Sequence, residues 1–199
     1  MSVIDPAARD RPPGPLSVVL GLLTLLTAIA CVAGLIIGVP IVQQYPAKIS
    51  VPDRVLGMDR ITDDPDIVAV SEEMEASKER FGDHSQFFAA YTDAKNSQVV
   101  AVVAGAGFLA FPESQLDKTL TEVTDALAEV GEIVEVPEGD LSGTLKCAYF
   151  KFKDHKQVRG VVCGWADHGS IGITLLFPAE DRDEAARKTL DVRFVVETH

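Results

Sequence analysis

Leu145–Phe177 reads LKCAYFKFKDHKQVRGVVCGWADHGSIGITLLF. Three strand-like runs fill it, Leu145–Phe152, Val158–Ala166 and Ser170–Phe177, rich in β-branched and aromatic residues. Asp167-His168-Gly169 supplies a turn between the last two, so an antiparallel meander is expected. If the first hairpin turns about His155, Cys147 lies opposite Cys163, Tyr149 opposite Val161 and Lys151 opposite Arg159. Directly opposed residues bring their Cβ atoms close enough for a disulfide. A Cys147–Cys163 bond is therefore expected, and it argues for an oxidising compartment. The pair lacks the CxxC spacing of a redox site, and two thiols alone make a poor zinc site, so no metal is expected.

The same register sorts the faces. Ala148, Phe150, Phe152, Val158 and Val162 form one apolar face, read as core. Tyr149, Lys151, Lys153, Arg159 and Trp165 share the other face with the cysteines and are the candidate binding patch. Such a basic patch suits an anionic partner in the cell envelope. Lysines on a hairpin also discourage edge pairing, which is the plainer reading of the same residues.

Upstream, the chain reads as strand, helix, strand, strand, helix, strand. Ile49–Val51 is a short first strand. Asp64-Pro65 opens a helix with an N-cap and a first-turn proline. Its apolar positions are Ile67, Val70, Met74 and Phe81, and its acidic run, Glu72 to Glu79, reads as a solvated face. Gln86–Thr92 and Gln98–Val103 form a hairpin about Asp93–Ser97, and Ala104–Gly107 reads as a bulge or strand end. Pro112 opens a second helix with a stripe of Leu116, Leu120, Val123, Leu127 and Val130, closed by Gly131. Glu132–Val136 is the next strand, and Ala179–Val196 is a final helix, acidic at its start. The expected fold is α+β. A mainly antiparallel sheet, in ferredoxin-like order plus the C-terminal three-strand meander, is covered by about three helices.

Leu16–Val42 carries no charge. A run this long satisfies its backbone in lipid only as a helix, and roughly 20 residues span a bilayer core. The layout is then a disordered cytoplasmic tail at 1–15, a transmembrane helix at 16–42, a juxtamembrane linker at 43–48 and an extracytoplasmic domain at 49–199. The run exceeds the apolar core of a cleaved signal peptide and lacks a basic segment before it. Ala28-Ile29-Ala30-Cys31 only loosely matches a lipoprotein signal, and the sequence beyond it stays apolar. Arg9 and Arg11 before the run nearly balance Lys48 and Arg54 after it. The cysteines decide the orientation, with the N-terminus inside. Ala30, Gly34 and Gly38 recur every fourth residue, a stripe that lets two helices approach closely and suits a homodimer or a membrane-protein partner.

The 199-residue chain has a net charge of −12. Two of its 18 basic and two of its 30 acidic residues lie in the tail, leaving 16 against 28 beyond it. Nucleic acid is not an expected partner, because a polyanion needs a basic footprint. No full dinucleotide fingerprint, P-loop lysine, HExxH, GxSxG or SxxK pattern stands in the domain, and no cofactor is expected. Three of the four histidines follow an aspartate at turns. Asp167 and His168, beside Trp165, are the nearest to an acid–base pair.

Cys147 and Cys163-Gly-Trp-Ala-Asp-His-Gly-Ser-Ile-Gly172, preceded by Leu141-Ser142-Gly143 and followed by a helix with Ala185-Ala186, form a pattern of their own. With the N-terminal span, it resembles uncharacterised single-pass membrane proteins of actinobacteria that carry a small two-cysteine outer domain. The resemblance covers the layout and about 30 C-terminal residues. It implies a cell-membrane location and transfers no catalytic residue. The expectation is a non-enzymatic binding or scaffolding domain in the cell envelope. The alternatives are an envelope hydrolase without a recognisable motif and a small regulatory subunit of a membrane complex.

Overall fold

The structure is a computed structural model, which describes residues 27, 32, 38–39, 41–69, 72, 86–95, 97–139, 141–152, 159–178 and 181–198. The chain divides into two units, Met1–Val39 and Pro40–His199. In the first, the described residues Thr27, Val32, Gly38 and Val39 have helical backbone. Among the described residues, no helix is long and apolar enough to cross a membrane. The tail and most of Leu16–Val42, with Ala30 and Gly34, lie outside them.

The second unit is α+β with an antiparallel sheet. Its strands are β1 (Lys48–Ile49), β2 (Arg54–Val55), β3 (Met58–Arg60), β4 (Gln86–Thr92), β5 (Val99–Ala106), β6 (Ala128–Val130), β7 (Val134–Val136), β8 (Thr144–Phe152), β9 (Arg159–Ala166), β10 (Ser170–Phe177) and β11 (Glu197–Thr198). Its long helices are α1 (Pro112–Leu127) and α2 (Arg182–Val196). The main sheet runs β2-β3-β4-β5-β10-β9-β8-β6, with β7 also on β8. The C-terminal meander β8-β9-β10 is present, and Cys147↔Cys163, Tyr149↔Val161 and Lys151↔Arg159 are register partners.

Local chemistry explains much of this. The Asp93 carboxylate closes the β4–β5 hairpin by accepting from the Ser97 and Gln98 amides at 2.6 and 3.3 Å. Those bonds, with that of the Ser97 hydroxyl first among them, hold the carboxyl below its usual range. Asp64 caps helical backbone at 65–69 by accepting from the Asp66 and Ile67 amides. The rest of that helix's expected stripe, Val70, Met74 and Phe81, lies outside the described residues. On α1, Leu116 and Leu120 are buried against Ala148, Phe150, Val162 and Ile173. Lys146 ties the same helix to β8, donating to Asp117 at 2.7 Å and to Glu113 at 3.2 Å.

Three expectations are corrected. The ferredoxin-like order fails because Lys48–Ile49 leaves the main sheet and pairs with Glu197–Thr198, while β10 takes the place beside β5. The second helix stops at Leu127, short of Val130 and Gly131. Ala128–Val130 instead covers the open edge of β8, and the Gly131 amide donates to Tyr149 O. Between Val130↔Phe150 and Val134↔Cys147 three residues oppose two, so β6 and β7 form one bulged edge. Residues 43–48 run against the turn at 167–170. The Gln44 carbonyl lies so close to Gly169 that a Cβ there would come within 2.0 Å of it. Finally, the cysteine face is not surface along most of its length. Ala185, Ala186, Val192 and Val196 of α2 join Leu145, Val161 and Trp165 in a second core on that side. The sheet is thus covered by α1 on one face and α2 on the other.

Candidate functional site

At the end of β8–β9 furthest from residues 166–170, three exposed side chains stand in register across the sheet. They are Glu129 of β6, Lys151 of β8 and Arg159 of β9. Two residues back along β8, Tyr149 is 47 % exposed. The Arg182 guanidinium, at the start of α2, sits 5.9 Å from the centroid of its ring. A cleft of about 410 Å³ opens here, with Glu129, Gly131, Tyr149, Lys151, Arg159 and Gly160 in its walls. That volume falls within the range of small-ligand sites.

Lys151 and Arg159 are like charges placed directly opposite each other, an arrangement that costs a sheet up to about 1 kcal/mol. Glu129, on the other side of Lys151, offsets part of this. Among the described residues in the cleft walls, two cations, Lys151 and Arg159, stand against one carboxylate, Glu129, in a chain of net charge −12. A bound anion would relieve the repulsion, and an arginine fork offers paired donors to carboxylate or phosphate. Tyr149 adds a half-exposed aromatic surface held under a cation.

The disulfide underlies this end of the hairpin. Cys147 and Cys163 are bonded at 2.06 Å with Cα atoms 4.1 Å apart. Both are fully buried, so the bond staples β8 to β9 two residues from Tyr149 and Val161 and is closed to thiol exchange.

The structure brings Tyr149, Lys151 and Arg159 together but separates Trp165 from them. Trp165 is 0 % exposed. Its indole lies across Gly172, its cross-strand partner, where a Cβ would come within 2.2 Å of the ring. Its Nε1 donates to Ser170 Oγ at 3.3 Å. Six residues of strand separate it from Arg159, roughly 20 Å. Lys153 lies outside the described residues.

Asp167 and His168 do not form an acid–base pair facing solvent. Asp167 is 1 % exposed. Its Oδ1 accepts from the Gly169 and Ser170 amides at 2.7 Å each, and its Oδ2 accepts from Arg193 Nη2. Arg193 also donates to Glu197 Oε2 at 2.7 Å and to Ser142 O at 3.0 Å. Burial first, then the Glu197 charge, pushes the Asp167 carboxyl above its ordinary value, against the pull of Arg193. The ring Nδ1 of His168 sits 2.8 Å from Leu109 O, and its amide donates to Gln44 Oε1 at 2.9 Å. These groups stitch α2, the 107–111 loop and the first residues of the unit to one turn. Among the described residues, no cluster of three or more His, Cys, Asp or Glu is arranged to hold a metal ion.

Glu129 and Arg182 escaped the sequence reading. Glu129 falls inside the expected second helix, which the fold ends at Leu127, and Arg182 reaches Tyr149 only because α2 packs on β8. Comparison with protein-family models, with curated proteins and with solved structures finds no match.

Proposed function

We propose that this chain is a membrane-anchored binding domain of the cell envelope. Its cleft at Tyr149, Lys151 and Arg159 takes a phosphate- or carboxylate-bearing ligand. The observation that carries the reading is the opposed Lys151–Arg159 pair at a cleft in a strongly acidic chain. The charge-free Leu16–Val42 supports a single-pass anchor. The buried disulfide supports placement outside the cytoplasm. In the same reading, the Ala30, Gly34 and Gly38 stripe is a route to a homodimer.

The location of the cleft favours an envelope ligand over the headgroups of the anchoring bilayer. Gln44, two residues past the apolar stretch, docks at His168 and Gly169. Arg159 lies at the other end of β9, seven residues or roughly 23 Å from Ala166. The cleft therefore faces away from the point where the chain joins the domain.

The test uses full-length protein in zwitterionic vesicles and short-chain polyphosphate as the anionic probe. Lys151→Glu with Arg159→Glu should weaken binding about tenfold to a hundredfold, the value of one or two charge-assisted contacts. Affinity should also fall with added salt. Binding unchanged by the double reversal refutes the assignment. Trp165 emission, which reports the buried core, should be the same in both proteins.

A further inference from the structure

We propose that the end of the domain where the chain joins it rests in the bilayer interface, through an aromatic loop at 107–111. The inference rests on the single-pass anchor proposed above. In that loop, Gly107-Phe108-Leu109-Ala110-Phe111, Leu109 packs against the α1-side core while the two phenylalanines turn outward. Phe108 is 50 % exposed and Phe111 79 %. The loop is pinned by the Gly107 amide on Gly169 O at 2.9 Å and the Leu109 amide on His168 O at 3.0 Å. Two exposed phenylalanines on a rigid loop cost solubility unless something apolar covers them.

The distribution of exposed apolar groups identifies the cover. Apart from Tyr149, every large apolar side chain described as exposed in Pro40–His199 comes from 42–51, 108–111 or 194–195. These three segments are tied together at one end of the domain. Lys48 pairs with Thr198, the Ser50 amide donates to Val196 O, and Gln44 accepts from the amide of His168. Tyr45 meets Phe108 edge to face, with ring centroids 5.7 Å apart.

The occupant follows from connectivity. Tyr45 is three residues past Val42, where the apolar stretch ends, a reach of about 10 Å. An anchor ending there holds the Tyr45–Phe108 pair at headgroup depth. Aromatic residues are favoured at that depth because their rings sit between hydrocarbon and water. A soluble partner would have to displace the membrane from this end, whereas the bilayer is held there by the chain itself.

The experiment places tryptophan at Phe111 in full-length protein, in vesicles whose lipids carry bromine at shallow acyl positions. Trp165, fully buried, is the internal reference, and Tyr149→Trp is the control at the opposite end. Phe111 is exposed, so the indole there leaves the core unchanged. Phe111→Trp emission should fall by about half, because interfacial side chains sit 5–10 Å into the headgroup and acyl boundary. Tyr149→Trp emission should be unaffected. Protein that floats with the vesicles but shows equal, weak quenching at both positions overturns the inference and leaves the anchor standing. Protein that does not float overturns both.

Discussion

Removing the Cys147–Cys163 bond gives the most quantitative test of how the domain is held together. The bond joins residues 16 apart in sequence. In the chain-entropy account, a closed loop of that length removes about 10 cal/mol/K from the unfolded ensemble, or about 3 kcal/mol at room temperature. Both sulfurs are buried in the α2-side core, so Cys147→Ala with Cys163→Ala also leaves small voids. The double variant should therefore lose about 3–5 kcal/mol. With a urea dependence of about 2 kcal/mol/M, the midpoint should drop by roughly 1.5–2.5 M. The chain has one tryptophan, Trp165, buried in the same core, and its emission reads the transition directly in full-length protein in detergent. Wild-type protein unfolded with a reductant should show most of the same drop, because the loop term is lost without changing a side chain. Equal midpoints with and without reductant would falsify the cross-link argument. A loss seen only in the alanine variant would assign the effect to packing.

Arg193→Met should cost about 3–5 kcal/mol, because it leaves the buried Asp167 and Glu197 carboxylates without their shared cation. Adding Glu197→Gln should recover part of that loss, read from the same urea transition. Burial, opposed in part by Arg60, raises the Tyr91 hydroxyl from 10.0 to about 12. The folded state therefore resists its ionisation, so stability is full below about pH 10 and declines as pH climbs toward 12. Tyr91→Phe should flatten that decline while losing about 1 kcal/mol at neutral pH with the bond to Pro52 O. An unchanged alkaline slope in the variant would assign the decline to other groups.

Short-range features of the fold were legible in the residues. Gln86–Thr92 and Ser170–Phe177 are strands over the lengths their β-rich composition suggests, and Pro112 begins a helix as its fixed φ favours. The Cys147↔Cys163 register follows from a single turn and a period of two. Three members of the cleft, Tyr149, Lys151 and Arg159, were visible for the same reason. Trp165 was misplaced because alternation tells which face a residue is on but not what covers that face. The helix that covers it hides its apolar side in Ala185, Ala186 and Thr189, around a buried Arg193. Arg193 is buried there because Asp167 and Glu197 meet it.

The sequence by itself determined the charge-free N-terminal stretch, the strands and turns of the meander, and the cysteine pairing. Each depends on neighbours a few residues apart. Only the tertiary structure decided that Lys48–Ile49 pairs with the C-terminus and that α1 gives way to an edge strand at Ala128. It also decided that Arg182 stands over Tyr149, and that Tyr45 and Phe108 meet where the chain joins the domain. Those outcomes were settled by which distant segment left an edge unpaired, a charge without a partner or an apolar face uncovered, and local propensity carries no record of that.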